Sequence, residues 1–150
     1  MRVVIQRVLS ASVTIEGKTI AQIQRGLLLL VGIENTDTPE DSAWLVSKIS
    51  KMRIFEDSNK VMNLSLQDIA AEVLIVSQFT LHAATKKGNR PSYIKAAKPE
   101  ISIPLYEDFV QQFQKELKNN VQTGKFGADM QVALLNDGPV TLLMDSKNRE

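Results

Sequence analysis

Two apolar runs late in the chain, "MQVALLN" and "VTLLMDS", are joined by Asp137-Gly138-Pro139, and this junction constrains the fold more than any other stretch. Asp-Gly between strands is a strong hairpin signal, because both central residues of a type I′ turn need positive φ. Pro139 removes that simple solution. It has no backbone N–H, fixes its own φ near −65° and restricts the residue before it. The two runs therefore read as closing strands around a rigid step. The Gly138-Pro139 bond is open to either isomer: trans suits an edge turn, whereas cis reverses the chain abruptly at modest cost. In the cis form the carbonyls of Gly138 and Pro139 would stand clear of any ladder and could face a ligand as fixed acceptors.

The remaining periodicities predict a sheet with two helices. "RVVIQRV" and "ASVTIEGKTIAQI" are rich in β-branched residues, with Gly17 at a hairpin turn and Val13, Ile15 and Ile20 expected on the buried face. "GLLLLVGI", residues 26–33, is apolar on both faces and reads as a covered central strand. Thr38 as N-cap, Pro39 in the first helical position and the acids Glu40 and Asp41 mark a helix start. Trp44, Leu45, Ile49 and Met52 then form its apolar stripe, and Trp44 is assigned to the core rather than to ligand stacking. "RIF" is read as a short strand, "EDSNK" as a turn and residues 71–81, "AEVLIVSQFTL", as a second central strand. Leu105, Phe109, Phe113 and Leu117 fall on one face of a second helix. The terminal "KNRE" is expected to fray. The expectation is an α+β fold in a single domain, residues 1–150, with a mostly antiparallel or mixed sheet packed by two main helices.

Composition narrows the chemistry. The chain has 18 basic and 17 acidic residues, so its near-neutral charge gives no global case for nucleic-acid or membrane binding. Without cysteine there are no disulfides, thiolate nucleophiles or Cys-based zinc sites. No apolar run approaches the ~18 residues of a membrane span, and the chain reads as soluble and cytoplasmic. His82 is the only histidine, so a histidine-rich metal site is excluded and a Ser-His-Asp triad must use His82 or not exist. If the strand continued through "SQFTLH", Thr80 and His82 would share a face as a hydroxyl and base. No third group is visible to orient the imidazole, so a structural role is the stronger reading. From His82 to Pro99 the chain carries five cations, Lys86, Lys87, Arg90, Lys95 and Lys98, and no acid. Such a loop is either a solvated surface or a phosphate contact, with Tyr93 available to stack on a base.

"SQFTL" (residues 77–81) and "NDGPVT" (136–141) resemble the two signature motifs of the D-aminoacyl-tRNA deacylase family, also called D-tyrosyl-tRNA deacylases. "RVVIQRV", "RIFED", "MNLSL", "KKGNRPS" and "FGADMQV" resemble further family segments in the family's order, so the likeness spans the chain. The resemblance implies hydrolysis of the ester joining a D-amino acid, or glycine mischarged on tRNA(Ala), to the terminal adenosine of tRNA. It implies a homodimer with a barrel-like sheet in which a cis Gly138-Pro139 of one subunit enters the other's active site and excludes L side chains. Ser77, Gln78, Phe79 and Thr80 would then be the catalytic set, with the Phe79 and Thr80 amides as an oxyanion site. Gly138, Pro139, Met130 and Arg7, the last a clamp on the Gly-Pro loop, would bind substrate. Lys86, Lys87 and Arg90 would meet tRNA phosphates. No cofactor, metal or membrane partner is implied. Where the family more often has tyrosine this chain has His82, which weakens any direct role for that histidine. The alternative, read from the basic loop, is a non-catalytic, dimeric RNA-binding module.

Overall fold

The computed structural model describes residues 1–118 and 120–150. The amino-terminal half of the sheet is organised by one long strand, β1 (Arg2–Ile15), which turns at Glu16-Gly17 into β2 (Lys18–Ile23). Along one edge β1 pairs antiparallel with β2 and then with β3 (Gly26–Gly32). A crossover through α1 (Pro39–Ser50) and a small hairpin, β4 (Phe55–Glu56) and β5 (Met62–Leu64), leads to β6 (Glu72–Ser77), parallel to β3. A second crossover, α2 (Pro99–Leu117), leads to β7 (Val121–Thr123), parallel to β6. Finally β8 (Gln131–Asp145) runs antiparallel along the other edge of β1. Because β2 folds against β6 and β7, the mixed sheet curls almost into a barrel. The α+β expectation, with two main helices on a mixed sheet, is met.

Burial on both faces explains the leucine run. Leu27 and Leu29 join the cluster beneath the helices, with Phe109, Phe113, Leu45 and Ile49, whereas Leu28 joins Val8, Val13, Ile23, Leu74 and Val76 on the inner face of the curl. Gly26 is required by proximity rather than by conformation. A Cβ built on it would lie 1.8 Å from the carbonyl oxygen of Glu72, its partner in the parallel ladder.

Four sequence expectations are corrected. Ile20 is exposed, because the β1–β2 hairpin reaches past the core it was expected to cover. The strand predicted over residues 71–81 stops at Ser77 and gives way to a 3-10 turn, Phe79–His82. The two closing runs form one strand on a single partner: Val8 pairs with Asn136 and Gln6 with Thr141, so residues 137–140 bulge out opposite Arg7 alone. The carboxyl-terminal segment is docked, not frayed: the Arg149 guanidinium lies 4.4 Å from the centre of the Trp44 ring, and Lys147 Nζ donates to Asp41 Oδ2 at 2.8 Å.

That last contact joins the α1 cap to the end of the chain. Asp41 also accepts from the Thr38 N–H at 2.9 Å, completing the predicted helix start. Burial alone would raise its pKa, but hydrogen bonds from Lys147, Ser146 and Thr38 hold the carboxyl well below the usual range. The native state thus binds this proton more weakly than the unfolded chain. The stability is complete above the ordinary aspartate pKa of about 4 and drains away as pH falls below it. In urea titrations Asp41→Asn should be less stable than the parent at pH 7 by about 1–2 kcal/mol. The gap should narrow by pH 2.5; an unchanged gap would mean that the carboxylate charge is not what matters.

Candidate active site

The parallel strands β3 and β6 end side by side, and a cavity of about 460 Å³ opens at their carboxyl ends. One wall is Ser77, Gln78 and Phe79, where β6 passes into the 3-10 turn. The turn is anchored to β3 by the Gln78 N–H, which donates to the Val31 carbonyl at 2.7 Å. It can lie this close because β3 ends in Gly32: a Cβ there would sit 2.9 Å from Leu81 Cβ and 3.0 Å from the Gln78 carbonyl oxygen. The first bond within the turn is donated by the Leu81 N–H to the Gln78 carbonyl, 3.3 Å. The amides of Phe79 and Thr80 precede it, at the open end where such groups have no partner within the turn.

The Thr80 hydroxyl accepts a hydrogen bond from Gln78 Nε2 at 2.6 Å. That contact fixes the hydroxyl without withdrawing its proton, so the geometry supplies Thr80 with an orienting partner and, among the described residues, no base. The turn also decides the question of His82. It is 2% exposed, and its Nε2 meets no hydrogen-bond partner among the described residues. The buried ring packs near Gly32 as a wall of the fold.

The facing wall is residues 126–130, between β7 and β8. Met130 reaches it because Gly124 has no side chain: a Cβ there would lie 2.7 Å from the Met130 sulfur. Phe126 is braced by Tyr106, ring centres 5.6 Å apart, and the Tyr106 hydroxyl donates to the Ile75 carbonyl at 2.9 Å. Burial pushes the pKa of that phenol upward, so it remains a proton donor. Of this wall only Met130 was identified from sequence. The visible signal for the rest was the family-like segment "FGADMQV", residues 126–132, which contains the wall.

Arg7, Gly138 and Pro139 stand apart from this cavity on the same chain. The Gly138-Pro139 bond is cis, and both residues are exposed in the bulge of β8. Beneath them Arg7 is buried, donating from Nη1 to the Ile54 carbonyl at 2.5 Å and from Nε to the Asp137 carbonyl at 3.1 Å. Its Nε also lies 3.2 Å from the Asp137 carboxylate. Gly138 has φ +121°, and a Cβ on it would come within 2.9 Å of Arg7 Nη2. Arg7 therefore holds the bulge from below. Lys86, Lys87 and Arg90 lie exposed on the loop after the turn. Among the described residues no cluster of three or more His, Cys, Asp or Glu side chains is placed to hold a metal ion, and no helix is long and apolar enough to cross a membrane.

Fold and site together define an α+β protein with a small-molecule-sized pocket at its strand ends and a separately clamped Gly-Pro bulge. The family model for D-Tyr-tRNA(Tyr) deacylase matches residues 4–145, and the chain belongs to that family. It is 67% identical to the D-aminoacyl-tRNA deacylase of Flavobacterium johnsoniae and 62% identical to that of Bacteroides fragilis, each over the full length of both chains. Among solved structures, the c-Myc DNA Unwinding Element Binding Protein superposes with a TM-score of 0.92 at 41% identity, covering 97% of this chain and 98% of that one. A probable eukaryotic D-amino acid tRNA deacylase shares the fold, with a TM-score of 0.82 at 18% identity over 95% and 97% of the two chains.

Proposed function

We propose that this protein hydrolyses the ester of D-aminoacyl-tRNA, releasing the free D-amino acid and tRNA in the cytoplasm. The observation that carries the reading is the full-length identity to proteins named D-aminoacyl-tRNA deacylase. The cavity suits the terminal adenosine and its aminoacyl group in size, a few hundred Å³ with apolar walls and few polar groups. Water attacks the ester carbonyl, the developing oxyanion is met by the Phe79 and Thr80 amides, and the 3′ oxygen of the ribose departs with a proton. The 2′-hydroxyl of that ribose assists the attack. Gln78 and Thr80 position the ester; the hydrogen bond between their side chains suits that role better than nucleophilic attack by the hydroxyl.

Chiral selection is assigned to a second copy of the chain. In β8 the edge away from β1 has no strand partner among the described residues, and Leu134, Leu135, Leu142 and Leu143 are exposed along the strand. Such an edge calls for a cover. In the proposed dimer the Gly138-Pro139 segment of one copy enters the cavity of the other. Its carbonyls take the substrate's α-amino group, and an L side chain would drive its Cβ into main chain. Glycine, with no Cβ, passes, so glycyl-tRNA(Ala) is included among the substrates.

The test is a paired assay of purified protein on D-tyrosyl-, L-tyrosyl- and glycyl-tRNA(Ala). The D-tyrosyl and glycyl esters should be cleaved, and the L-tyrosyl ester spared by roughly a hundredfold, about 3 kcal/mol of discrimination. Equal rates on the two enantiomers would refute chiral selection. A second reading, a nucleic-acid-binding module without turnover, is favoured by the basic loop and by the DNA-binding name of the 41%-identical solved structure. It expects charged and uncharged tRNA to bind alike, with no ester cleaved.

A further inference from the structure

Phe79 does more than line the cavity. Phe79 is 57% exposed, and its ring meets Tyr93 edge-on, centres 5.1 Å apart and planes at 75°. Tyr93 is itself 39% exposed, and Ile94 beside it is 87% exposed. An aromatic pair with an aliphatic neighbour on the surface is an unusual use of apolar area, and it begins where the cavity ends. The backbone that presents it is fixed. Ala84 and Ser92 exchange both backbone hydrogen bonds, at 2.8 and 3.0 Å, and the Ala97 N–H donates to the Ile33 carbonyl at 2.9 Å. Tyr93 thus follows a bridged residue in the loop instead of riding on a free tip.

The charge around the pair has one sign. From Val73 to Pro99 there is no acidic residue, while Lys86, Lys87, Arg90, Lys95 and Lys98 are all exposed. None of these five stands in an ion pair among the described residues, whereas Arg2, Arg7 and Lys147 each do. Exposed aromatic faces among cations that lack carboxylate partners are the recognition chemistry of single-stranded nucleic acid: rings stack the bases and cations follow the phosphates.

We propose that Tyr93, on the platform it forms with Phe79 and Ile94, stacks the unpaired nucleotide preceding the 3′-terminal adenosine, while Lys86, Lys87, Arg90, Lys95 and Lys98 hold the phosphates of that strand. The inference rests on the proposed function for its direction: with the terminal adenosine in the cavity, the strand leaves past Phe79 and onto Tyr93. Tyr93 then contributes to affinity for the polynucleotide and not to the handling of the ester.

Two substrates separate these roles. D-Tyrosyl-tRNA carries the preceding nucleotides; 3′-O-D-tyrosyl-adenosine carries none. Tyr93→Ala should raise KM for the tRNA roughly five- to a hundredfold, the range for losing one base stack, and leave its kcat within about twofold. KM for the adenosine ester should move by less than about twofold, and Tyr93→Phe should restore the tRNA value. Lys86→Gln with Lys87→Gln should flatten the salt dependence of KM for tRNA alone. An equal rise in KM on both substrates would place Tyr93 at the adenosine and overturn the proposal, as would no rise on tRNA. If the parent protein cleaves neither ester, the proposed function falls instead. Anisotropy of a labelled single-stranded RNA ending in CCA then decides the platform: weaker binding by Tyr93→Ala upholds it, and equal binding overturns it.

Discussion

Arg7→Met should lower hydrolysis of D-tyrosyl-tRNA on the order of a hundredfold and cost about 2–4 kcal/mol of stability in urea titrations. The methionine keeps much of the apolar stem and removes every donor. The Ile54 carbonyl loses its 2.5 Å partner, and the Asp137 carboxylate and carbonyl both lose theirs. Because the Asp137 side chain is partly exposed, water recovers some of that loss, which keeps the estimate below the cost of a fully buried broken pair. Under the proposed function the effect on rate is of similar size, since displacing a positioning segment by about an ångström can cost two orders of magnitude. Arg7→Lys sharpens the reading. It restores the charge but not the planar fork that reaches Ile54 and Asp137 at once, so stability should recover further than activity. Full activity in a folded Arg7→Met protein would show that the bulge needs no clamp.

Gly26→Ala should leave little or no folded protein, a loss of roughly 4 kcal/mol or more. The added carbon would meet three main-chain atoms of Glu72, at 1.8, 2.7 and 2.9 Å, and none of them can rotate aside. The Glu72 N–H donates to the Arg25 carbonyl, and its carboxylate accepts from the Gln24 N–H at 2.5 Å, so the two strands are tied at the point where they would have to part. Circular dichroism and the yield of soluble protein would report it. A cooperative urea transition at the parent's midpoint would disprove the steric account.

Which parts of this protein could be read from residues follows from the range of the interaction. The leucine run of β3 was legible because burial on both faces leaves no polar position to write. The helix stripe of Leu105, Phe109, Phe113 and Leu117 was legible for a different local reason, its helical spacing on one face, and all four are buried. The end of β6 was not, because nothing in "SQFTL" forbids a strand. The turn exists because Gly32, far away in the chain, leaves room for Leu81 and the Gln78 carbonyl. The cavity is half legible on the same grounds. Ser77, Gln78 and Phe79 carry a recognisable motif, but the wall from Phe126 to Met130 depends on Tyr106 bracing Phe126 and on space vacated by Gly124. Neither contact leaves a periodic trace. At the carboxyl end, polar composition suggested fraying, whereas Trp44 and Asp41 on α1 supply a docking place that composition does not reveal.

The bulge in β8 carries a further consequence through simple parity. From Gln6–Thr141 to Val8–Asn136 β1 advances two residues and β8 five, and from there to Ser10–Leu135 β1 advances two and β8 one, so the second shift takes back one residue of the first. The net surplus of two leaves paired side chains on a common face: Met144 and its partner Val3 pack on the cluster beneath the helices, and Val132 and its partner Val13 on the inner one. A net change of one residue would turn one flank over relative to β1 and send its apolar side chains to water. The segment can therefore lose or gain a single residue only if the smaller irregularity beside it changes too, whatever chemistry it serves.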